Sequence, residues 1–173
     1  EVKFDDYRPF FTEGTELFNK AGIFYSRRVG ATPGSAAAVL NKYGNDPNYS
    51  INKNPGITRL YNATKFSGRN KKNLGIGIFN SVTVPMYAKI TNLNTGADSS
   101  ILTEPLTNYN ILVLDQALKN RSTISFTNTN VLRKGNSRNA NVSSIDLSLF
   151  DKKNVHNFIL SGKYSSVWGK NLN

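Results

Sequence analysis

Leu74-Gly75-Ile76-Gly77-Ile78-Phe79-Asn80-Ser81-Val82-Thr83-Val84 is the stretch on which the fold turns. Leu74, Ile76, Ile78, Val82 and Val84 fall on one face, while Gly75, Gly77, Ser81 and Thr83 fall on the other. A period of two separates apolar from small and polar residues only if the chain is extended, so the stretch predicts a strand. The same rhythm continues outward. Ile57 to Gly68 precedes it across the polar turn Arg69-Asn70-Lys71-Lys72-Asn73. Residues 105–118 and Ser122 to Leu132 pair off across Lys119-Asn120, and Asn141 to Phe150 and Val155 to Trp168 pair off across Asp151-Lys152-Lys153-Asn154. Ile145, Leu147 and Leu149 oppose Ser144, Asp146 and Ser148; Phe158, Leu160, Tyr164 and Trp168 oppose Asn157, Ser161, Lys163 and Ser165. With a further segment at Ile23 to Val29, the chain reads as all-β, with about seven strands in antiparallel up-and-down hairpins.

The expected strands are long, close to the ~9–11 residues that cross a bilayer at a tilt rather than the five or six of ordinary globular strands. Their connections alternate in length. Residues 30–56 and 85–103 read as long loops, 69–73, 119–121 and 151–154 as short turns, and 133–140 as intermediate. Long loops at one end, short turns at the other and one apolar face per strand match an outer-membrane β-barrel, with lipid outside and water inside. Seven strands leave two open edges, which proteins usually cover. The expectation is therefore that residues 1–173 are a single segment of a larger barrel, with an N-terminal segment at 1–22 and hairpins over 23–173. The start at Glu1-Val2-Lys3-Phe4, without Met, points the same way. Within the first long loop, Ser35 to Tyr43 predicts two helical turns capped by Ser35 and stopped at Gly44.

Composition suits this reading. Over 173 residues only 38% are hydrophobic and 19% charged, yet ten Phe, eight Tyr and one Trp are present. Disordered chains combine high charge with few aromatics, so this one is polar but built to fold. The net charge of +11 suits an anionic membrane surface, an acidic glycan or nucleic acid. Many of the cations sit in turns, however, at Lys71, Lys72, Lys119, Arg121, Lys152 and Lys153, which reads as solvated loop charge. With no cysteine there is neither a disulfide framework nor a thiolate site, and no apolar run reaches the ~18–20 residues of a spanning helix.

Two N-terminal stretches carry a resemblance. Arg8-Pro9-Phe10-Phe11-Thr12-Glu13-Gly14-Thr15-Glu16-Leu17-Phe18 is followed by Phe24-Tyr25-Ser26-Arg27-Arg28-Val29-Gly30. Asn62-Ala63-Thr64-Lys65-Phe66-Ser67-Gly68-Arg69 then runs into the deciding strand, and Glu104-Pro105-Leu106-Thr107-Asn108-Tyr109 comes later. In this order they resemble the bacterial envelope family in which a carbohydrate-binding family-9-like module precedes a large β-barrel domain of unknown function. The resemblance implies the outer membrane of a Gram-negative, Bacteroidetes-like organism and a longer parent chain. It implies no catalytic residue, and any glycosidase label would rest on the upstream sugar-binding module.

Arg8, Arg27 and Arg28 are candidates to pair with Glu13 and Glu16 inside the barrel. Bidentate guanidinium–carboxylate bridges there would lock the segment to the wall, with Phe10, Phe11 and Phe18 as apolar anchors. The same arginines would suit an anionic or sugar ligand in the lumen. A paired-carboxylate glycosidase needs two carboxyls held across a sugar, which the spacing of Asp5, Asp6, Glu13 and Glu16 does not establish. The single His156 can neither build a His-based metal site nor serve a Gly-x-Ser-x-Gly nucleophile, which is missing. No cofactor, metal or catalytic residue is expected. The aromatics Tyr61, Tyr87, Tyr109, Tyr164 and Trp168 are expected to form an interfacial girdle or to join the core, with stacking on bases or sugars as the alternative. The expected partners are the lipid bilayer or lipopolysaccharide, the rest of the parent barrel chain and a glycan; no nucleic acid is expected. The leading rival is a soluble basic β-sheet domain that binds anionic glycan or nucleic acid, with apolar faces buried sheet against sheet. The weakest is a glycoside hydrolase-associated domain.

Overall fold

The computed structural model describes residues 16–19, 21–23 and 29–170. The chain is all-β, with antiparallel strands in two sheets. A short helix α1 (Glu16–Asn19) and a longer one, α2 (Ala36–Tyr43), precede the strands β1 (Tyr49–Lys53), β2 (Leu60–Arg69), β3 (Leu74–Thr83), β4 (Met86–Asn92) and β5 (Asp98–Glu104). They continue as β6 (Thr107–Ala117), β7 (Thr123–Arg133), β8 (Asn139–Phe150) and β9 (Asn157–Trp168). The large sheet has the order β2-β3-β6-β7-β8-β9, and the small one β1-β4-β5.

All six strands of the large sheet were legible from their alternation, each within a few residues. Their short turns lie at one end, where asparagine does what glycine does elsewhere. Asn73 (φ 62°), Asn120 (φ 53°) and Asn154 (φ 54°) adopt the left-handed region, which its short polar side chain tolerates. Asn70 closes the first turn by accepting from the backbone N–H of Lys72 and Leu74 at 2.9 and 3.0 Å.

The two segments read as long loops depart from expectation. Residues 30–56 carry α2 and β1, and 85–103 carries β4 and almost all of β5, so the connections build a second sheet at the end opposite the short turns. Val39 of α2 packs on Ala88 and Ile90 of β4, ringed by Tyr43, Tyr49, Ile51 and Ile101. Tyr43 and Tyr49 meet edge to face, with centroids 5.0 Å apart. The helix stops at Gly44 as expected, its N–H bonding the Leu40 carbonyl at 2.8 Å. Ser35 does not cap through its side chain; its backbone N–H donates to the Thr103 carbonyl at 3.0 Å and ties the helix start to β5. Of the strand expected at Ile23 to Val29, residues 24–28 lie outside the described residues, and Val29 stands in a turn.

Glu104, at the end of β5, joins the two sheets. Its carboxylate, 8% exposed, accepts the Gly34 backbone N–H at 2.7 Å and the Thr107 hydroxyl at 3.4 Å, and lies 3.7 Å from the Arg133 guanidinium. Charge-assisted hydrogen bonds of this kind are costly to leave unmade. Glu104→Ala is expected to destabilise the junction by about 1–3 kcal/mol, read as faster hydrogen exchange at the Gly34 amide. Glu104→Gln keeps the acceptor and should cost less.

Candidate functional site

The two faces of the large sheet differ chemically, and strand register assigns every residue to one of them. One face, called inner here, carries Gly75, Gly77, Phe79, Ser81 and Thr83 of β3 beside Asp115, Val113, Ile111, Tyr109 and Thr107 of β6. Ser125, Thr127 and Thr129 of β7, Asp146 and Ser144 of β8, and Ser161 and Lys163 of β9 continue it. α1 lies on this face. Phe18, 1% exposed, packs with Val29, Phe79, Ile111 and Val113. The two glycines of β3 make room for it. A Cβ on Gly75 would stand 3.0 Å from Leu17 Cδ2, and one on Gly77 3.1 Å from Phe18 Cε1. The chain after α1 then crosses the face toward β9, where Lys163 Nζ donates to the Ala21 carbonyl at 3.0 Å.

The carboxylates on this inner face are paired, while the buried Thr127 hydroxyl has no hydrogen-bond partner among the described residues. Asp115 is fully buried and forms an ion pair with Arg69 at the end of β2. Asp146 accepts hydrogen bonds from the Ser144 hydroxyl, at 2.7 Å, and the Ser161 hydroxyl. Among the described residues no group of three or more His, Cys, Asp or Glu gathers where a metal could bind. The arrangement can hold a segment of chain.

The outer face is apolar toward the short turns and exposed. Phe66, Ile78, Leu112, Leu114, Ile124, Ile145, Leu149, Phe158 and Leu160 are each at least 38% exposed, although residues of this type are normally the ones proteins bury. Register makes the band continuous: Phe66 opposes Ile78, Ile78 opposes Leu112, Leu114 opposes Phe126, Phe126 opposes Ile145, and Leu147 opposes Leu160. The band slides toward the short turns from β3 to β9, ending at Leu149 opposite Phe158. Such a slide is what a level boundary draws across tilted strands.

Above the band lies a row of asparagines. Asn80, Asn110, Asn130 and Asn141 are successive cross-strand partners on β3, β6, β7 and β8. The Asn80 amide donates to Asn108 and Asn110 at 2.7 and 2.6 Å, Asn110 to Asn130 at 2.9 Å, and Asn128 to Asn141 and Ser143 at 3.1 and 2.9 Å. The ladder satisfies its amides sideways, which a polar row beside apolar surroundings requires. Composition suggested abundant Asn; only register shows the row.

Of the sequence-derived candidates, Arg8, Glu13, Arg27 and Arg28 lie outside the described residues, as do Phe10 and Phe11. Glu16 is exposed on α1, and Phe18 is the anchor expected of it. Of the aromatics expected in a girdle, Tyr61, Tyr87, Tyr164 and Trp168 are at least 44% exposed. Tyr109 is not among them. Register turns it inward, where it packs on the Phe18 cluster. No helix among the described residues is long and apolar enough to cross a membrane.

An all-β chain with one sheet face of mixed polarity covered in part by α1 and one apolar, exposed face is the class these features define. The chain belongs to the family described as Domain of unknown function (DUF5916), which matches residues 1–173. No curated protein and no solved structure matches it.

Proposed function

We propose that this chain is a non-catalytic part of an outer-membrane β-barrel that serves envelope transport or surface glycan handling. In this reading a carbohydrate-binding family-9-like module precedes the barrel in a Bacteroidetes-type parent protein. The observation that carries the proposal is the continuous apolar outer face of a six-stranded sheet whose inner face, apolar where α1 packs and polar beyond it, is occupied by α1. Exposed apolar patches of this extent mark surfaces that meet a partner or lipid. Strands β2, β3 and β6 to β9 run 10 to 12 residues, long enough to cross a bilayer at a tilt.

Both edges of the large sheet support further strands as partners. β2 and β9 each pair on one side only among the described residues, and β9 is exposed along almost its whole length. Long open edges invite strand addition, and barrels remove them by closure. The rival of a soluble two-layer sheet requires the apolar faces to cover each other. Among the described residues the small sheet packs on α2 instead, leaving the outer face of the large sheet uncovered.

Sedimentation of the full chain with and without detergent, alongside circular dichroism, tests the proposal. Aggregation relieved by detergent, with a β spectrum, is the expected result. A β-rich, monodisperse species in plain buffer would sink the lipid-facing assignment.

A further inference from the structure

Where the small sheet meets the end of β2 and β3, a groove of about 670 Å³ opens between Lys53, Arg59 and Lys89 and the apolar residues Ile57, Val84, Pro85, Met86 and Tyr87. Among the described residues no acidic one lines it. The three cations are exposed, and none makes an ion pair with another described residue. Lys53 and Lys89 are direct cross-strand partners in β1 and β4. Like charges placed directly opposite one another destabilise a sheet, and a bound anion removes that repulsion.

The groove also has a defined position. The Val84 N–H donates to the Arg59 carbonyl at 2.9 Å, so the β2–β3 pairing runs one residue past Thr83. Alternation then puts Val84 on the outer side with Val82, while Thr58 and Thr83 are buried on the inner side. β3, 10 residues long, rises about 25 Å at ~3.3 Å per residue and ~40° of tilt. That is about the height of the apolar band on outer-membrane barrels. Three cations over an apolar shelf thus stand on the outer side, at the end of β3 away from the short turns and beyond the asparagine row. We infer that this groove binds the phosphate group of an anionic lipid, with Lys53, Arg59 and Lys89 on the headgroup and Ile57, Met86 and Tyr87 along its apolar part. The inference rests on the barrel reading, since it needs the outer face to lie in lipid.

Flotation of the full chain with two kinds of vesicle tests it: phosphatidylcholine alone, and phosphatidylcholine mixed with phosphatidylglycerol. The wild type is expected on both, with a preference for the mixed vesicles of roughly tenfold or more, from about fivefold per cation near an anionic surface less screening. K53Q/R59Q/K89Q should lose the preference yet still float with phosphatidylcholine. K53R/K89R, which keeps the charges, should retain it. A triple variant that keeps the preference, or a wild type without one, overturns the groove and leaves the barrel standing. Soluble glycerol phosphate that abolishes the preference would reassign the site to free phosphate and overturn the lipid as ligand. A wild type that floats with neither vesicle overturns the barrel reading, and this inference falls with it.

Discussion

Phe18→Ala is expected to lower the stability of the folded chain by about 3–5 kcal/mol, a large share of the roughly 5–15 kcal/mol that holds a typical domain together. Phe18 is 1% exposed and, beside Leu17 of the same helix, packs α1 and Val29 against Phe79, Ile111 and Val113 of the sheet. Truncating it removes both the transfer free energy of a buried ring and the packing around the cavity left behind. Gly77 supplies the internal control. A methyl on Gly77 would stand 3.1 and 3.2 Å from two carbons of the Phe18 ring, so Gly77→Ala alone should cost about 1–3 kcal/mol through overpacking. In the Phe18→Ala background that ring is gone, and the same methyl enters the space it left. The two substitutions should therefore couple by about 1 kcal/mol or more in a double-mutant cycle read from denaturant midpoints. Additive costs would mean that the helix does not rest on the glycines of β3.

That dependence of Gly77 on a residue far away in sequence shows where reading the chain alone stops. Period-two alternation reports which residues share a face, and the six long strands followed from it because each carries at least two apolar residues in step. It does not report what covers a face. Gly75 and Gly77 read as room for a close approach or a crowded surrounding, and only the position of α1 shows what fills that room. The small sheet was illegible for a related reason. β1, β4 and β5 are 5 to 7 residues long and bury their apolar residues only against α2, so each offers one or two inward residues among Asn, Ser, Thr and Lys. The ion pair between Arg69 and Asp115 was hidden by topology. Arg69 reads from sequence as part of a turn, where solvation is the default, but it ends β2, and its partner lies across the intervening strand β3. Glu104, in a stretch singled out for its resemblance, gave no sign of acting between sheets, because its partners Gly34 and Arg133 lie in other parts of the chain.

What surrounds the outer face is decided most directly by placing a charge in it. Ile78 is 47% exposed on the outer side, between Phe66 and Leu112 in register. If that side met water, Ile78→Arg would replace an exposed apolar group by a solvated one, and such surface substitutions change stability within about 0.5 kcal/mol. If it meets lipid, an arginine deep in the apolar band costs about 2–4 kcal/mol, falling to about 0–1 near the interfaces. The outer-membrane reading therefore makes a graded prediction rather than a single number. Ile78→Arg should be the more damaging change, and Val82→Arg, one row beyond the asparagine ladder and nearer the cationic groove, should cost far less. Unfolding of each variant in lipid bilayers reads the gradient, and Lys71→Arg in a short turn serves as a neutral reference. A steep fall in cost from Ile78 to Val82 would place the hydrocarbon boundary near the asparagine row. Equal, near-zero costs at both positions would mean that the outer face is wet, and the apolar band would then need another polypeptide to cover it.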